Sequence, residues 1–192
     1  MQKVRVTLTG TMPLLMHADN LADPLDPVTK EFKKISGKRK KTDDDFEALA
    51  EMEFQASLYA EGETIVLPAT NLKKAFIEGG RVTKDGPKVE RGVTLLGVSF
   101  PLDYGSSLTK KDLYTDTEFV DRRSVKVGTA RTMRVRPIFR NWSVDVEAML
   151  DPAVLSADDF EDICKNTGNL IGLGDHRKVG GYGRFDAKVT VI

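Results

Sequence analysis

Residues 2–10 alternate with period two. Val4, Val6 and Leu8 fall on one face, and Lys3, Arg5, Thr7 and Thr9 fall on the other, the signature of a half-buried strand. The C-terminus repeats the pattern, with Phe185, Ala187, Val189 and Val191 opposite Arg184, Asp186, Lys188 and Thr190. Two ends of matching amphipathicity are expected to share one sheet with one covered face. Further in, Phe46, Leu49, Ala50, Phe54 and Leu58 return at helical spacing. Thr42 stands as the cap, and Asp43, Asp44 and Asp45 fill the first turn, where carboxylates oppose the positive end of the helix dipole. ETIVLP then reads as a short strand ending at Pro68. A helix follows, with Leu72, Ala75 and Phe76 as its apolar stripe and Gly79–Gly80 as its stop.

From 117 to 150 the period is again two. Arg134, Arg136 and Arg140 share one face, Met133, Val135 and Phe139 the other. Trp142, Val144, Val146 and Ala148 continue the alternation after a kink, and core burial is expected for Trp142. Gly128 is the expected turn between this long strand and the one before it. VTLLGVSFPL, at 93–102, fits helix or strand equally. Ser156, Asp158 and Asp159 open a last helix that buries Phe160, Ile163, Cys164, Thr167, Leu170 and Ile171 and ends at Gly172. The order is strand, inserted segment (18–63), helix, strand pair, helix, glycine-rich loop, strand. The expected class is therefore α+β: one ferredoxin-like βαββαβ domain over 1–192, with a large insertion after the first strand. Fold alone leaves function open.

Charge changes the picture. The 192 residues carry 29 Lys+Arg and 29 Asp+Glu, so no global field draws the chain to polyanions. Any nucleic-acid site has to come from local segregation of charge, and segregation is present. TKEFKKISGKRKK, at 29–41, holds seven Lys or Arg against one Glu, whereas 42–63 holds eight acidic residues and no basic one. The 121–140 segment holds seven Lys or Arg against Asp121. A row of like charges on one sheet face repels itself unless an anion or acidic partners cover it. The single cysteine, Cys164, excludes an intrachain disulfide and Cys-based zinc motifs, and its apolar helical position predicts a buried thiol. His17 and His176 are the only histidines, so no His-rich metal site is expected, and no cofactor motif is found. MQKVRVTLTG has no apolar leader region, and no apolar run approaches the roughly 18 residues of a membrane span, so a cytoplasmic location is expected.

IGLGDHRKVGGYGRF, at 171–185, is rich in glycine and basic residues. A dinucleotide fingerprint fails because Arg177 stands at the third glycine position and the loop runs from helix to strand. A P-loop fails for want of Gly-Lys-Ser/Thr. Two readings stay open: a phosphate-cradling segment of exposed amides and cationic side chains, or a helix-to-strand connection whose glycines serve tight turning.

Three segments together resemble the RAMP superfamily, which includes backbone and processing subunits of CRISPR effector complexes. VRVTLTGTMPLLMH looks like its opening strand and Thr-x-Pro-Leu turn. LPATNLKKAFIEGGR is similar to its Ile-Pro-Gly-Ser-Ser-Leu-(Lys/Arg)-Gly-Ala-Leu-Arg element through Pro68, Leu72, Lys73, Ala75, Phe76 and Arg81. GLGDHRKVGGYGRF looks like its C-terminal glycine signature. Ala69 and Thr70 depart from the usual Gly-Ser, and Lys74 from a small residue. The chain is also short for a CRISPR backbone subunit, which fits a stand-alone or phage relative.

The resemblance implies binding of single-stranded nucleic acid, RNA or DNA, largely independent of sequence. It also implies head-to-tail homo-oligomers that extend as a filament along the strand. The residues nominated for binding are Lys38, Arg39, Lys40 and Lys41; Arg122, Arg123, Arg131, Arg134 and Arg136; and Gly174, His176, Arg177, Lys178, Gly180, Gly181 and Tyr182, the last as a stacking platform. Two alternatives remain. One is a metal-independent endoribonuclease using His17 or His176, with Asp19, Asp23 and Asp26 in the loop where a cleaving Asp is sought. The other is a self-assembling structural protein whose basic and acidic segments hold subunits together.

Overall fold

The computed structural model describes residues 1–192, apart from the side chain of Val127. Strands β1 (Gln2–Gly10) and β2 (Leu14–Leu15) lead into helices α1 (Pro27–Ser36) and α2 (Asp43–Ala56). Strands β3 (Ala60–Glu61) and β4 (Thr64–Pro68) precede helices α3 (Ala69–Gly80) and α4 (Gly86–Gly92). Then come β5 (Val93–Leu95), β6 (Ser99–Pro101), β7 (Val120–Val127), β8 (Ala130–Phe139) and β9 (Ser143–Leu150). Helix α5 (Ala157–Asn166), the single turn α6 (Arg177–Gly180) and β10 (Phe185–Val191) close the chain, which is α+β as expected.

The framework is an antiparallel four-stranded sheet in the order β10-β1-β9-β5. The two chain ends do pair: Val6 lies opposite Val189 and Leu8 opposite Ala187. Val4, Val6 and Leu8 are fully buried beneath α3 and α5, where the Phe76 and Phe160 rings meet edge to face at 5.7 Å. Cys164 is buried in this core, and desolvation pushes its thiol pKa well up, so it stays protonated and unreactive. The other sheet face carries Lys3, Arg5, Thr7 and Thr9 beside Ser143, Asp145, Glu147 and Met149. Glu147 binds Lys3 at 2.8 Å and Arg5 at 3.2 Å, so this face neutralises itself.

Thr42 and Asp45 form a reciprocal capping box at the start of α2. Ser156 accepts from the Asp159 N–H at the start of α5. Trp142 is buried, and its Nε1 donates to the Met12 carbonyl at 3.0 Å.

The structure decides or corrects the sequence reading in four places. The basic run at 29–41, given no element from the sequence, is helical in its first part, because Asp26 caps α1 by accepting from Thr29 N–H at 3.0 Å. The segment 93–102 makes two short strands, not a helix. β5 closes the main sheet, and β6 pairs with β4 in a separate sheet. The long arginine strand divides at Arg140–Asn141: β9 enters the main sheet, while β8 leaves it to pair with β7 and β2. Leu170, expected inside, is 54% exposed because the helix widens into a π turn at Thr167–Ile171 and rotates that side chain outward. Among the described residues no helix is long and apolar enough to cross a membrane.

Candidate nucleic-acid interface

The β7–β8 hairpin turns at Gly128 and Thr129, with Val127 opposite Ala130, as the two-residue loop requires. Its base is anchored by ion pairs. Arg136 is buried and pairs with Asp175 of the glycine-rich loop, while its Nε and Nη2 have no hydrogen-bond partner among the described residues. Arg134 reaches Glu53 of α2 at 2.7 Å, and the same carboxylate accepts from Val135 N–H at 3.0 Å. Arg123 forks onto Asp121, and its guanidinium lies 4.8 Å from the Tyr182 ring centroid. Arg122 meets Glu47 at 2.9 Å, and Arg140 contacts Glu118.

The expected row of free arginines is therefore corrected: acidic partners cover it, and Arg136 points inward. Tyr182 is also not a bare stacking platform. Its face holds Arg123, its hydroxyl accepts from that residue at 2.6 Å, and His176 packs edge-on at 6.4 Å.

The outer half of the hairpin differs. Lys126 lies directly opposite Arg131, both exposed, and neither has an ion-pair partner among the described residues. The 38–41 segment divides in the same way: Lys38 is held by Asp45 at 2.6 Å, and the Lys41 ammonium donates to the Lys38 carbonyl at 2.9 Å. Arg39 and Lys40 project without an acidic partner among the described residues.

The glycine-rich loop is built by close backbone contact. A Cβ on Gly183 would stand 1.9 Å from the Leu173 carbonyl oxygen, and one on Gly174 would stand 2.4 Å from that of Leu15. Both have positive φ, +65° and +73°. Leu173 N–H donates to Gly183 O at 2.9 Å, Asp175 N–H to Leu15 O at 2.8 Å, and Gly183 N–H to Pro13 O at 2.7 Å. These three amides are committed within the fold and are not free to cradle a phosphate. Gly180 and Gly181 sit on the outer turn beside Lys178, which is exposed. Arg177 pairs with Glu78 of α3 at 3.1 Å.

Between this loop and α3 lies an open cleft of about 230 Å³, lined by His17, Tyr59, Asn71, Lys74, Gly174, Asp175 and Arg177. Asn71 and Lys74 were not nominated from the sequence. Their spacing of three on α3 was the available signal, since it puts both on one face of a helix. Lys73, a motif residue, turns elsewhere: its ammonium caps the end of α4 through the carbonyls of Val89, at 2.7 Å, and Glu90, at 3.3 Å. Burial holds the Lys73 pKa below its ordinary value. For Asp175, desolvation disfavours the charge. The His176 N–H, Arg136 and the histidines outweigh it and keep its pKa below the usual carboxylate value.

The two histidines share no hydrogen bond: His17 Nδ1 lies 3.5 Å from Ser57 Oγ, and His176 faces Tyr182. Asp19, Asp23 and Asp26 line a different cleft of about 590 Å³ with Lys110. Asp23 and Asp26 already accept local N–H bonds there. A third, apolar cleft of about 490 Å³ lies between α1, α2 and the hairpin, with Phe46 and Met133 each 58% exposed at its wall.

No protein-family model and no curated protein matches the chain. Among solved structures, it is similar to a chain in the cryo-EM structure of the type III-B Cmr-beta complex bound to cognate target RNA. The TM-score is 0.51 at 14% identity, with 100% of this chain covered. The chain spans 60% of the length of that neighbour, and at this identity the likeness is one of fold.

Proposed function

We propose that this chain is a RAMP-type protein that binds single-stranded nucleic acid without base selection and assembles with itself along the strand. The order β10-β1-β9-β5, with α3 and α5 on one face, is what a split βαβ pair produces and supports a ferredoxin-like framework. The observation that carries the reading is the Lys126–Arg131 pair. Two cations face each other across the strands at the outer end of a hairpin whose every inner arginine is neutralised. Like charges directly opposite destabilise a ladder, and a phosphodiester lying across them removes that cost.

Arg39, Lys40 and Lys178 extend the same free charge, and the cleft with Lys74 adds a second place for a phosphate. Lysine and arginine heads on phosphate read no base, so the binding is sequence-independent. Arg122, Arg123, Arg134 and Arg136 act as anchors that set the hairpin's angle. The neighbour's bound RNA favours RNA over DNA. The open sheet face is not the platform: it carries no aromatic residue on β1 or β9 and is self-neutralised. Self-assembly is supported by the exposed Phe46 and Met133 at the apolar cleft.

The test is fluorescence anisotropy of labelled oligouridine and oligothymidine of about 30 nucleotides against increasing salt, alongside light scattering on the same mixtures. Affinity that falls steeply with salt, together with oligomers that lengthen on the strand, is the expected result. Protein that ignores both oligonucleotides overturns the reading, and salt-insensitive oligomers then favour the purely structural alternative.

A further inference from the structure

We infer that His17 is a phosphate ligand that takes up a proton when the strand enters the cleft, so that affinity rises as pH falls below neutrality. The inference rests on the nucleic-acid reading above and adds a residue and a regulation to it. His17 stands two residues after β2 and lines the cleft together with Lys74 and Arg177. The charged groups facing it are Glu53 of α2, Arg134 and Arg136 of β8, and Asp175 of the loop, with the Ser57 hydroxyl beside its ring.

These charges are already matched with one another, Arg134 with Glu53 and Arg136 with Asp175. The ring therefore gains no unshared carboxylate. Desolvation dominates and holds its pKa below the ordinary 6.5, so the imidazole is neutral in the free protein at neutral pH. A phosphodiester adds a negative charge, and since Glu78 holds Arg177, Lys74 is the one lysine or arginine of the cleft lining without an ion-pair partner among the described residues. Protonating His17 supplies a second cation.

An opposite charge at about 4–6 Å raises a pKa by about 1–3 units, which fixes the sign. The bound-state value exceeds the free-state value, so the extra affinity is fully present below the free-state pKa. It is lost as pH rises through the bound-state pKa.

The experiment measures oligouridine affinity of the full chain by anisotropy between about pH 6 and pH 8 at constant ionic strength, for the natural protein, His17→Gln and His176→Gln. About tenfold tighter binding at the acid end is expected for the natural chain. The slope should persist in His176→Gln and flatten in His17→Gln. His17 is at the cleft surface, and circular dichroism checks that its variant is folded. A slope that survives in His17→Gln, or is missing from the natural chain, overturns the inference while leaving strand binding intact. Absence of binding at every pH overturns the nucleic-acid reading itself.

Discussion

The four-stranded sheet and the β7–β8 hairpin both display rows of basic side chains, and they dispose of the charge differently. On the sheet the acids stand on the neighbouring strand, with Glu147 of β9 holding Lys3 and Arg5 of β1. Neutralisation there is local, within one pair of strands. On the hairpin the main acids arrive from other elements, Glu53 from α2 and Asp175 from the loop, and they reach only its base. Beyond Arg134 no acid follows among the described residues. A count of strand arginines therefore does not locate an anion site. The place where the neutralising partners stop shows which cations are left for one.

Four perturbations break or sharpen this contrast. The largest effect is expected for Gly183→Ala, which puts a methyl group against the Leu173 carbonyl at a positive φ. About 4 kcal/mol or more of stability should be lost in urea unfolding, because the loop that delivers Asp175 is held by that contact. Asp175→Ala comes next. It leaves Arg136 buried without its acidic partner, and about 2 kcal/mol is expected, below the cost for a fully enclosed pair because Asp175 reaches solvent. The same contact predicts an acid dependence. Since the folded Asp175 pKa lies below the unfolded value of 3.8, its stabilisation is present above that pH and is lost as pH falls through the folded value. The natural chain should lose more stability in acid melts than Asp175→Ala does, the remainder coming from other carboxylates held low by their partners, such as Glu147 and Glu161.

Reversing the outer pair, Lys126→Glu with Arg131→Glu, should leave the unfolding free energy in urea within about 0.5 kcal/mol of the natural chain's, because nothing in the fold leans on it. The slope of log affinity against log salt on single strands should nevertheless fall by about 1.4, two phosphate contacts at about 0.7 each. An unchanged slope would move the phosphate path off the hairpin. The smallest effect is expected for Glu147→Ala. It frees Lys3 and Arg5 on an exposed face and should leave the melting midpoint unmoved. A gain in RNA affinity in this variant would turn the sheet face into a second binding surface and weaken the contrast.

Most of the framework was legible in the chain, because its signals are local. Alternation in 2–10 and 185–191 needs only the period of a strand, and the caps at Thr42 and Ser156 need only a hydroxyl and a free N–H three residues on. The 93–102 stretch was not legible, since a short apolar run with a glycine satisfies either period until a partner strand is present. The candidate site was legible in part. The basic segments stand out in the sequence, but six of the nominated cations, Lys38, Arg122, Arg123, Arg134, Arg136 and Arg177, are ion-paired within the chain.

What the sequence determined by itself is the class of structure and the location of excess charge. Both depend on neighbours within a turn of helix or along one strand. Only the tertiary structure decided which charges remain free. Glu53 and Arg134 are 81 residues apart, and Asp175 and Arg136 are 39 apart, so no spacing along the chain announces either pair. The same holds for the cleft, where His17, Lys74 and Arg177 come from three distant segments. Ion pairing acts through space and falls off within a few ångströms, and the chain path that closes those distances is set by apolar packing rather than by the charges themselves.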